Sequence, residues 1–147
     1  MKQEYKDLLL KDLCARLPYG VKVAFFNEDL TYHSEPKTLT GIECINNLNY
    51  SNLEDEDGNT TIVEFVKPYL FPLSSMTNEQ KEEISNLFWE FDNNEFSNNI
   101  EFVYHYDCVN LIDWLNKNHF DYRGLIEKGL AIDATGLNII KYENICL

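Results

Sequence analysis

Histidine and cysteine are the residue types in this chain that are best suited to metal binding or nucleophilic chemistry. No histidine lies in an HExxH pattern and no two cysteines form a CxxC pair, the spacings typical of zinc and redox sites. Cys108 with His105 or His119 could form a thiol–imidazole pair, but such a nucleophile needs a third orienting group. We therefore predict reduced, mostly buried thiols, histidines that lie at the surface or are hydrogen-bonded in the core, no metal site and no cofactor. The positions concerned are His33, His105, His119, Cys14, Cys44, Cys108 and Cys146.

An acidic run at residues 54–57, followed by Gly58, has some features of a calcium loop. With Gly58 at the glycine position of an EF-hand, Asp55 and Asp57 fall at ligand positions. Leu53 then falls at the first ligand position, where its side chain offers no oxygen. The run is therefore interpreted as a solvated hairpin tip.

Asp121, Tyr122 and Arg123 form a compact polar and aromatic group. Tyr122 and Arg123 are of the types that dominate binding energy at protein interfaces, and with His105 they could also line a pocket. The alternative, which we favour, is structural: Asp121 caps a helical turn and Arg123 pairs with it or with the acidic centre of the chain.

Negative charge is concentrated in the middle of the chain. The net charge is −13, and residues 51–113 contain 14 acidic and two basic residues, a net of −12. Such a field repels nucleic-acid phosphates and anionic lipid headgroups and attracts a basic protein. We therefore expect no direct nucleic-acid or membrane binding. The alternative to a docking role is a solvated face that confers solubility.

Aromatic and acidic residues are interspersed between positions 88 and 106, and Trp89 lies off the apolar stripe of the helix that begins this segment. An exposed aromatic ring beside carboxylates is suited to docking a basic, partly apolar partner, while a second layer of core is an equal alternative. The candidate interaction residues are Glu82, Glu83, Trp89, Glu90, Asp92, Tyr122 and Arg123.

Periodic patterns predict the elements that would position these residues. Apolar residues recur at helical spacing from Tyr5 to Leu17, with Lys6, Asp7, Lys11 and Asp12 on the opposite, polar face. Strands are predicted at residues 21–26, 30–33, 38–45 and, most clearly, 60–67, with Gly41 marking a bulge or bend and Asp57–Gly58 a tight hairpin. The segment 68–72 is predicted to be an apolar strap, because its two prolines disfavour a central strand.

The second half of the chain is predicted to be largely helical. Residues 77–80 match a capping box and begin one helix, and Asp107 is a cap for another. A helical turn at residues 122–128 should end at Gly129, with Leu130 packing on Leu125. Short strands are expected at residues 101–106 and 136–145.

Three stretches of sequence together resemble an uncharacterised family of small acidic proteins that are encoded by gut anaerobic bacteria and by their phages or mobile elements. They are residues 8–23 (LLLKDLCARLPYGVKV), 67–77 (KPYLFPLSSMT) and 121–132 (DYRGLIEKGLAI). The resemblance spans nearly the whole chain and keeps the order of the stretches. It implies a bacterial or phage-infected cytoplasm and supplies no activity, cofactor or catalytic residue.

Taken together, the sequence predicts a single α+β domain, residues 1–147, with a β-rich sub-region at 18–67 and a helical one at 77–130. The N-terminal helix precedes a small, strongly bent antiparallel sheet or SH3-like barrel, and a helical C-terminal part follows. A twisted antiparallel sheet covered by helices is the alternative for the β-rich sub-region. We expect a non-enzymatic cytoplasmic protein that uses an acidic face to bind a basic partner. The alternatives are a small enzyme or ligand-binding domain with a pocket between the sheet and the C-terminal helices, and a phage structural or regulatory component.

Overall fold

The fold is α+β, as predicted. The computed structural model describes residues 1–45, 50–87 and 108–139. Within them, the N-terminal helix α1 (Gln3–Arg16) is followed by a mixed sheet of seven strands and by the helices α2 (Asn78–Leu87) and α3 (Cys108–Lys117). The predictions of an N-terminal helix and of an α+β class are confirmed.

The strands are β1 (Lys22–Phe25), β2 (Lys37–Ile45), β3 (Tyr50–Asp55), β4 (Thr60–Thr61), β5 (Val66–Pro72), β6 (Phe120–Asp121) and β7 (Ile132–Asp133). They follow one another across the sheet in the order β4-β3-β2-β1-β5-β6, and β7 also pairs with β5. Pairings among β1 to β5 are antiparallel, whereas β6 and β7 run parallel to β5. This order confirms neither the strongly bent sheet nor the SH3-like barrel.

Two local sequence signals in the sheet are confirmed. The register between β2 and β3 shifts between Leu39 and Gly41, which is the bulge expected at Gly41. Gly58 has a φ of +82° in the turn that joins β3 to β4, a conformation that an L side chain rarely adopts. Gly58 N donates to Asp55 O at 3.0 Å, so residues 55–58 form a tight turn that contains the predicted Asp57–Gly58 pair.

The apolar strap predicted at residues 68–72 is wrong, because this segment belongs to β5, a central strand. Pro68 pairs with Val23 of β1. Phe26 N donates to Phe65 O at 2.7 Å, so alternation along the antiparallel pair makes Val23–Pro68 a non-hydrogen-bonded pair. The nitrogen of Pro68 thus faces away from β1, on the side where β7 pairing begins only at Tyr69. In this register no backbone hydrogen bond of the sheet requires an N–H at position 68, so proline is tolerated there.

The strand predicted at residues 60–67 is interrupted. β4 ends at Thr61, and a 3₁₀ turn at Val63–Phe65 precedes β5. Val63 is buried in this turn among the residues that pack beneath α1, so burial of one side chain overrides the alternating pattern. Likewise, the strand predicted at residues 30–33 is reduced to a single bridge between Phe26 and His33.

Two apolar clusters hold the helices against the sheet. Leu9 and Leu13 of α1 pack with residues from β1, β2, β3 and β5, while Ile84 of α2 packs with Leu111 and Trp114 of α3. The capping box predicted at the start of α2 is confirmed: Gln80 N donates to Thr77 Oγ1 at 3.1 Å and Thr77 N donates to Gln80 Oε1 at 2.9 Å.

The wholly helical C-terminal part is not confirmed, because β6, β7 and turns occupy residues 118–139. The segment predicted as a helical turn is a series of turns at residues 125–129, in which Gly129 has a φ of +72°. Leu130 N donates to Leu125 O at 2.9 Å, and both side chains lie in the same cluster. Residues 136–139 do not form a strand, and the strand predicted at 101–106 and the cap at Asp107 lie outside the described residues.

Candidate functional site

Two regions contain the predicted interaction residues that the structure describes. Glu82 and Glu83 lie on α2, whereas Tyr122 and Arg123 follow β6. The remaining candidates lie outside the described residues: Trp89, Glu90, Asp92 and His105.

Three glutamates form one face of α2. Glu79, Glu82 and Glu83 stand at positions i, i+3 and i+4, which bring side chains to the same side of a helix, and all three are exposed. The capping box fixes where α2 begins, and buried Ile84 fixes its rotation against α3. We call these three residues the α2 carboxylate face.

The negative charge of the α2 carboxylate face has no cationic partner in the described part of the chain. The ion pairs found there do not involve Glu79, Glu82 or Glu83. Lys81 lies two residues from Glu79, about 200° around the helix axis. Like charges at helical spacing destabilise a helix by about 0.2–0.5 kcal/mol per pair. Glu79 lies in the first turn of α2, where the helix dipole favours a negative charge and offsets part of this repulsion. The three carboxylates still leave an uncompensated negative potential.

Contacts with α3 hold the α2 carboxylate face in place. Trp114 Nε1 donates to Glu83 Oε1 at 3.2 Å. The Trp114 ring stacks on Phe120, with centroids 5.6 Å apart and planes 7° from parallel. Exposed Asp113 lies beside Trp114 on α3. Because Glu83 is tied to a ring that is itself packed, the carboxylates stand on a rigid support.

The second region is a buried polar cluster around Asp12 and Arg16 of α1. Arg16 Nε donates to Asp12 Oδ2 at 2.9 Å, and neither side chain is exposed. Arg16 Nη2 also donates to the carbonyl of Phe120 at 2.5 Å. Arg123 Nη1 reaches the other oxygen of Asp12 at 3.1 Å. One carboxylate is thus shared by two guanidinium groups.

Tyr122 is enclosed by the same two guanidinium groups. They lie 5.3 Å (Arg16) and 4.6 Å (Arg123) from its ring centroid, within the range of cation–π attraction. Tyr122 Oη accepts from Arg123 Nη1 at 2.5 Å and donates to Asn116 Oδ1 at 2.8 Å. Tyr122 and Arg123 are therefore engaged within the molecule.

The sequence analysis made predictions for Asp121 and Asp12, two residues of this region. Asp121 accepts from the amides of Leu125 and Ile126, both at 2.9 Å, so its side chain has a structural role, but it closes a series of turns and does not cap a helix. The placement of Asp12 on the polar, solvated face of α1 is wrong. Its carboxylate is buried because Arg123, which is distant in sequence, covers it.

His119 lies next to this cluster in an unusual conformation. It has a φ of +61°, and its Nδ1 is buried without a hydrogen-bond partner, as is Nη1 of Arg16. Burial, followed by the positive charges of Arg16 and Lys22, lowers the pKa of His119 to about 4. The imidazole is therefore neutral near pH 7 and poorly placed to exchange protons there.

The remaining candidate residues for chemistry have local structural roles. Cys14 and Cys44 are free and exposed, so the prediction of mostly buried thiols is wrong for these two. Partial desolvation, followed by the nearby Cys44, raises the pKa of Cys14, which disfavours the reactive thiolate. The His33 ring lies 4.9 Å from that of Phe26 at the base of a hairpin.

The acidic run at residues 54–57 is also used by the fold. Buried Asp55 accepts from the amides of Asp57 and Asn59 at 2.9 and 3.0 Å, and Asp57 pairs with Lys37 at 2.8 Å. These contacts close the β3–β4 turn. Among the described residues, no group of three or more His, Cys, Asp or Glu side chains is arranged to hold a metal ion.

Comparison with models of known protein families, with curated proteins and with solved structures finds no match to this chain. In the part of the chain that the structure describes, no helix has both the length and the apolar character needed to cross a membrane.

Several residues of these regions were not predicted from the sequence. The i, i+3, i+4 spacing alone could have added Glu79 to Glu82 and Glu83, and the i, i+4 spacing of Asp12 and Arg16 could have suggested their pair. The burial of His119 has no comparable signal, since it depends on the packing of α1 beside β6.

Proposed function

We propose that this chain is a non-enzymatic interaction protein that binds a basic protein through the α2 carboxylate face. The observation that carries the proposal is the set of three exposed glutamates on one side of α2, without a cationic partner among the described residues. A cytoplasmic location and a bacterial, phage or mobile-element origin belong to the same proposal.

The charge distribution on α2 supports a binding function. A fixed patch of one charge sign steers an oppositely charged partner and selects against like-charged ones. In the sequence, Glu90 and Asp92 follow α2 and extend the same negative stretch. A nucleic-acid-binding protein, whose DNA site the carboxylates imitate, is the class of partner that fits such a surface.

The alternative of an enzyme or ligand-binding domain has less support. It relied on Asp121, Tyr122 and Arg123 facing a pocket. The carboxylate of Asp121 caps a turn, while Tyr122 and Arg123 contact each other, Asn116 and Asp12.

The proposal is tested by a pull-down with two variants that lose the same number of negative charges at different places on the surface. The wild-type chain is compared with a Glu79→Gln, Glu82→Gln, Glu83→Gln variant, in which the new amide at position 83 keeps an acceptor for Trp114. A control variant removes three exposed carboxylates elsewhere, by Glu4→Gln, Glu43→Gln and Glu127→Gln. Bound proteins are washed at low and then moderate salt and identified by mass.

We expect one dominant basic protein to be retained by the wild type and by the control, and to be lost from the α2 variant. Rising salt should release it, because screening weakens exposed charge pairs. Equal retention by all three proteins would refute the role of the α2 carboxylate face.

A further inference from the structure

The hairpin that follows β1 presents two large apolar side chains to solvent. Leu30 is 51% exposed and Tyr32 is 71% exposed, and they lie two residues apart at the tip of the turn. The surrounding segment, residues 27–35, contains Glu28, Asp29 and Glu35 and no Lys or Arg. We refer to this segment as the apolar hairpin tip.

The backbone of the apolar hairpin tip is held by its own polar groups. Asn27 N donates to Tyr32 O, and Tyr32 N donates to Asn27 Oδ1, each at 3.0 Å. Asp29 Oδ1 accepts from the amide of Thr31 at 3.2 Å and from its hydroxyl at 2.6 Å. The same bonds lower the pKa of Asp29, so its carboxylate stays charged and keeps the turn closed near neutral pH.

Leu30 is not the residue that this backbone favours. Its φ is +61°, a left-handed conformation in which a bulky side chain is an outlier and glycine or asparagine is preferred. Since half of its surface is exposed, Leu30 also contributes little to the core. The fold therefore gives no reason for leucine at this position.

We propose that the apolar hairpin tip is an anchor that inserts Leu30 and Tyr32 into an apolar pocket rimmed by Lys or Arg on a partner protein. Aromatic and aliphatic side chains on a pre-organised loop lose little conformational entropy on binding. The carboxylates around the tip select a basic rim. Lys37, the nearest cation along the chain, is paired with Asp57 and also attracts Glu35, so Glu28 and Asp29 contribute most to this selection. This surface lies outside α2, so the inference goes beyond the proposed function.

The test uses a displayed library of random peptides, linear and disulfide-cyclised, as the probe. The library is first depleted on a Leu30→Gly, Tyr32→Ser variant and then selected on the wild-type chain. Peptides that survive are synthesised, and their affinities are measured against the wild type and each single variant. Val109→Ser, which alters a 71% exposed apolar residue of α3, is the matched control.

We expect surviving peptides to combine Lys or Arg with large apolar residues. Each single substitution should weaken their binding by about tenfold or more, whereas Val109→Ser and the glutamine variant of α2 should not change it. Leu30→Gly should melt at or above the wild-type temperature, because glycine relieves the backbone conformation. Tyr32→Ser provides a second variant that leaves the backbone bonds of the turn in place.

The proposal is overturned if depletion on the variant leaves no binders, or if the survivors lack basic residues. It is equally overturned if surviving peptides bind Leu30→Gly and Tyr32→Ser as tightly as the wild type.

Discussion

Replacing Asp12 by asparagine should strongly destabilise the chain. The carboxylate of Asp12 is fully buried and is bonded by Arg16 at 2.9 Å and by Arg123 at 3.1 Å. Removing one partner of a buried ion pair typically costs about 3–5 kcal/mol, because the other charge is left in a low-dielectric site. The substituted amide keeps one carbonyl oxygen and Arg123 reaches solvent, so we expect a loss near the lower end, about 3 kcal/mol.

Urea denaturation near neutral pH measures this loss. With an m-value of about 2 kcal/mol/M, the midpoint should fall by about 1.5 M. Asp7→Asn, on the exposed side of the same helix, is the control and should change the free energy of unfolding by less than about 0.5 kcal/mol. Replacing Asp12 by leucine and Arg16 by methionine together should cost less than Asp12→Asn, because the unpaired Arg16 charge is removed. A loss below about 1 kcal/mol for Asp12→Asn would refute the account of this cluster.

Three further predictions concern single positions. Because the pKa of His119 is about 4 in the folded chain and about 6.5 when unfolded, the unfolded chain binds this proton first, and the free energy of unfolding should fall by up to about 3 kcal/mol as the pH falls from about 6.5 towards 4. In His119→Asn, chemical denaturation at several pH values should show a free energy of unfolding that depends less on pH. Gly129→Ala should cost about 1 kcal/mol, because φ is +72° although space is open, whereas Gly41→Ala, without a positive φ, should cost less; equal thermal shifts would contradict this. Thr77→Ala should cost about 1 kcal/mol in chemical denaturation by removing the cap of α2, while Thr77→Ser should not.

The features predicted correctly from sequence are those with a local cause. The capping box at Thr77, the bulge at Gly41 and the turn at Gly58 each depend on a few neighbouring residues. The periodicity of α1 likewise located its apolar side, since Leu9 and Leu13 are buried. For the candidate site, the concentration of acidic residues along the chain led to Glu82 and Glu83, and Glu79 follows from the same helical spacing; the role of these residues in binding stays a prediction.

The features that were missed depend on contacts between distant segments. Whether Pro68 disrupts a strand depends on the register of β1 and β5, which decides where its nitrogen points. The burial of Asp12 depends on Arg123, 111 residues away, and that of Arg16 on the carbonyl of Phe120, 104 residues away. Helical periodicity places charged residues on the solvent side of a helix, and it does not take partners from distant segments into account.

The most direct test of the central claim is the salt dependence of binding to the basic protein recovered in the pull-down. Dissociation constants are measured at several salt concentrations for the wild type, the glutamine variant of Glu79, Glu82 and Glu83, and the charge-matched control. We expect the α2 variant to bind at least about tenfold more weakly at low salt and to show a shallower salt dependence, while the control stays close to the wild type. Identical affinities and slopes for the wild type and the α2 variant would contradict it.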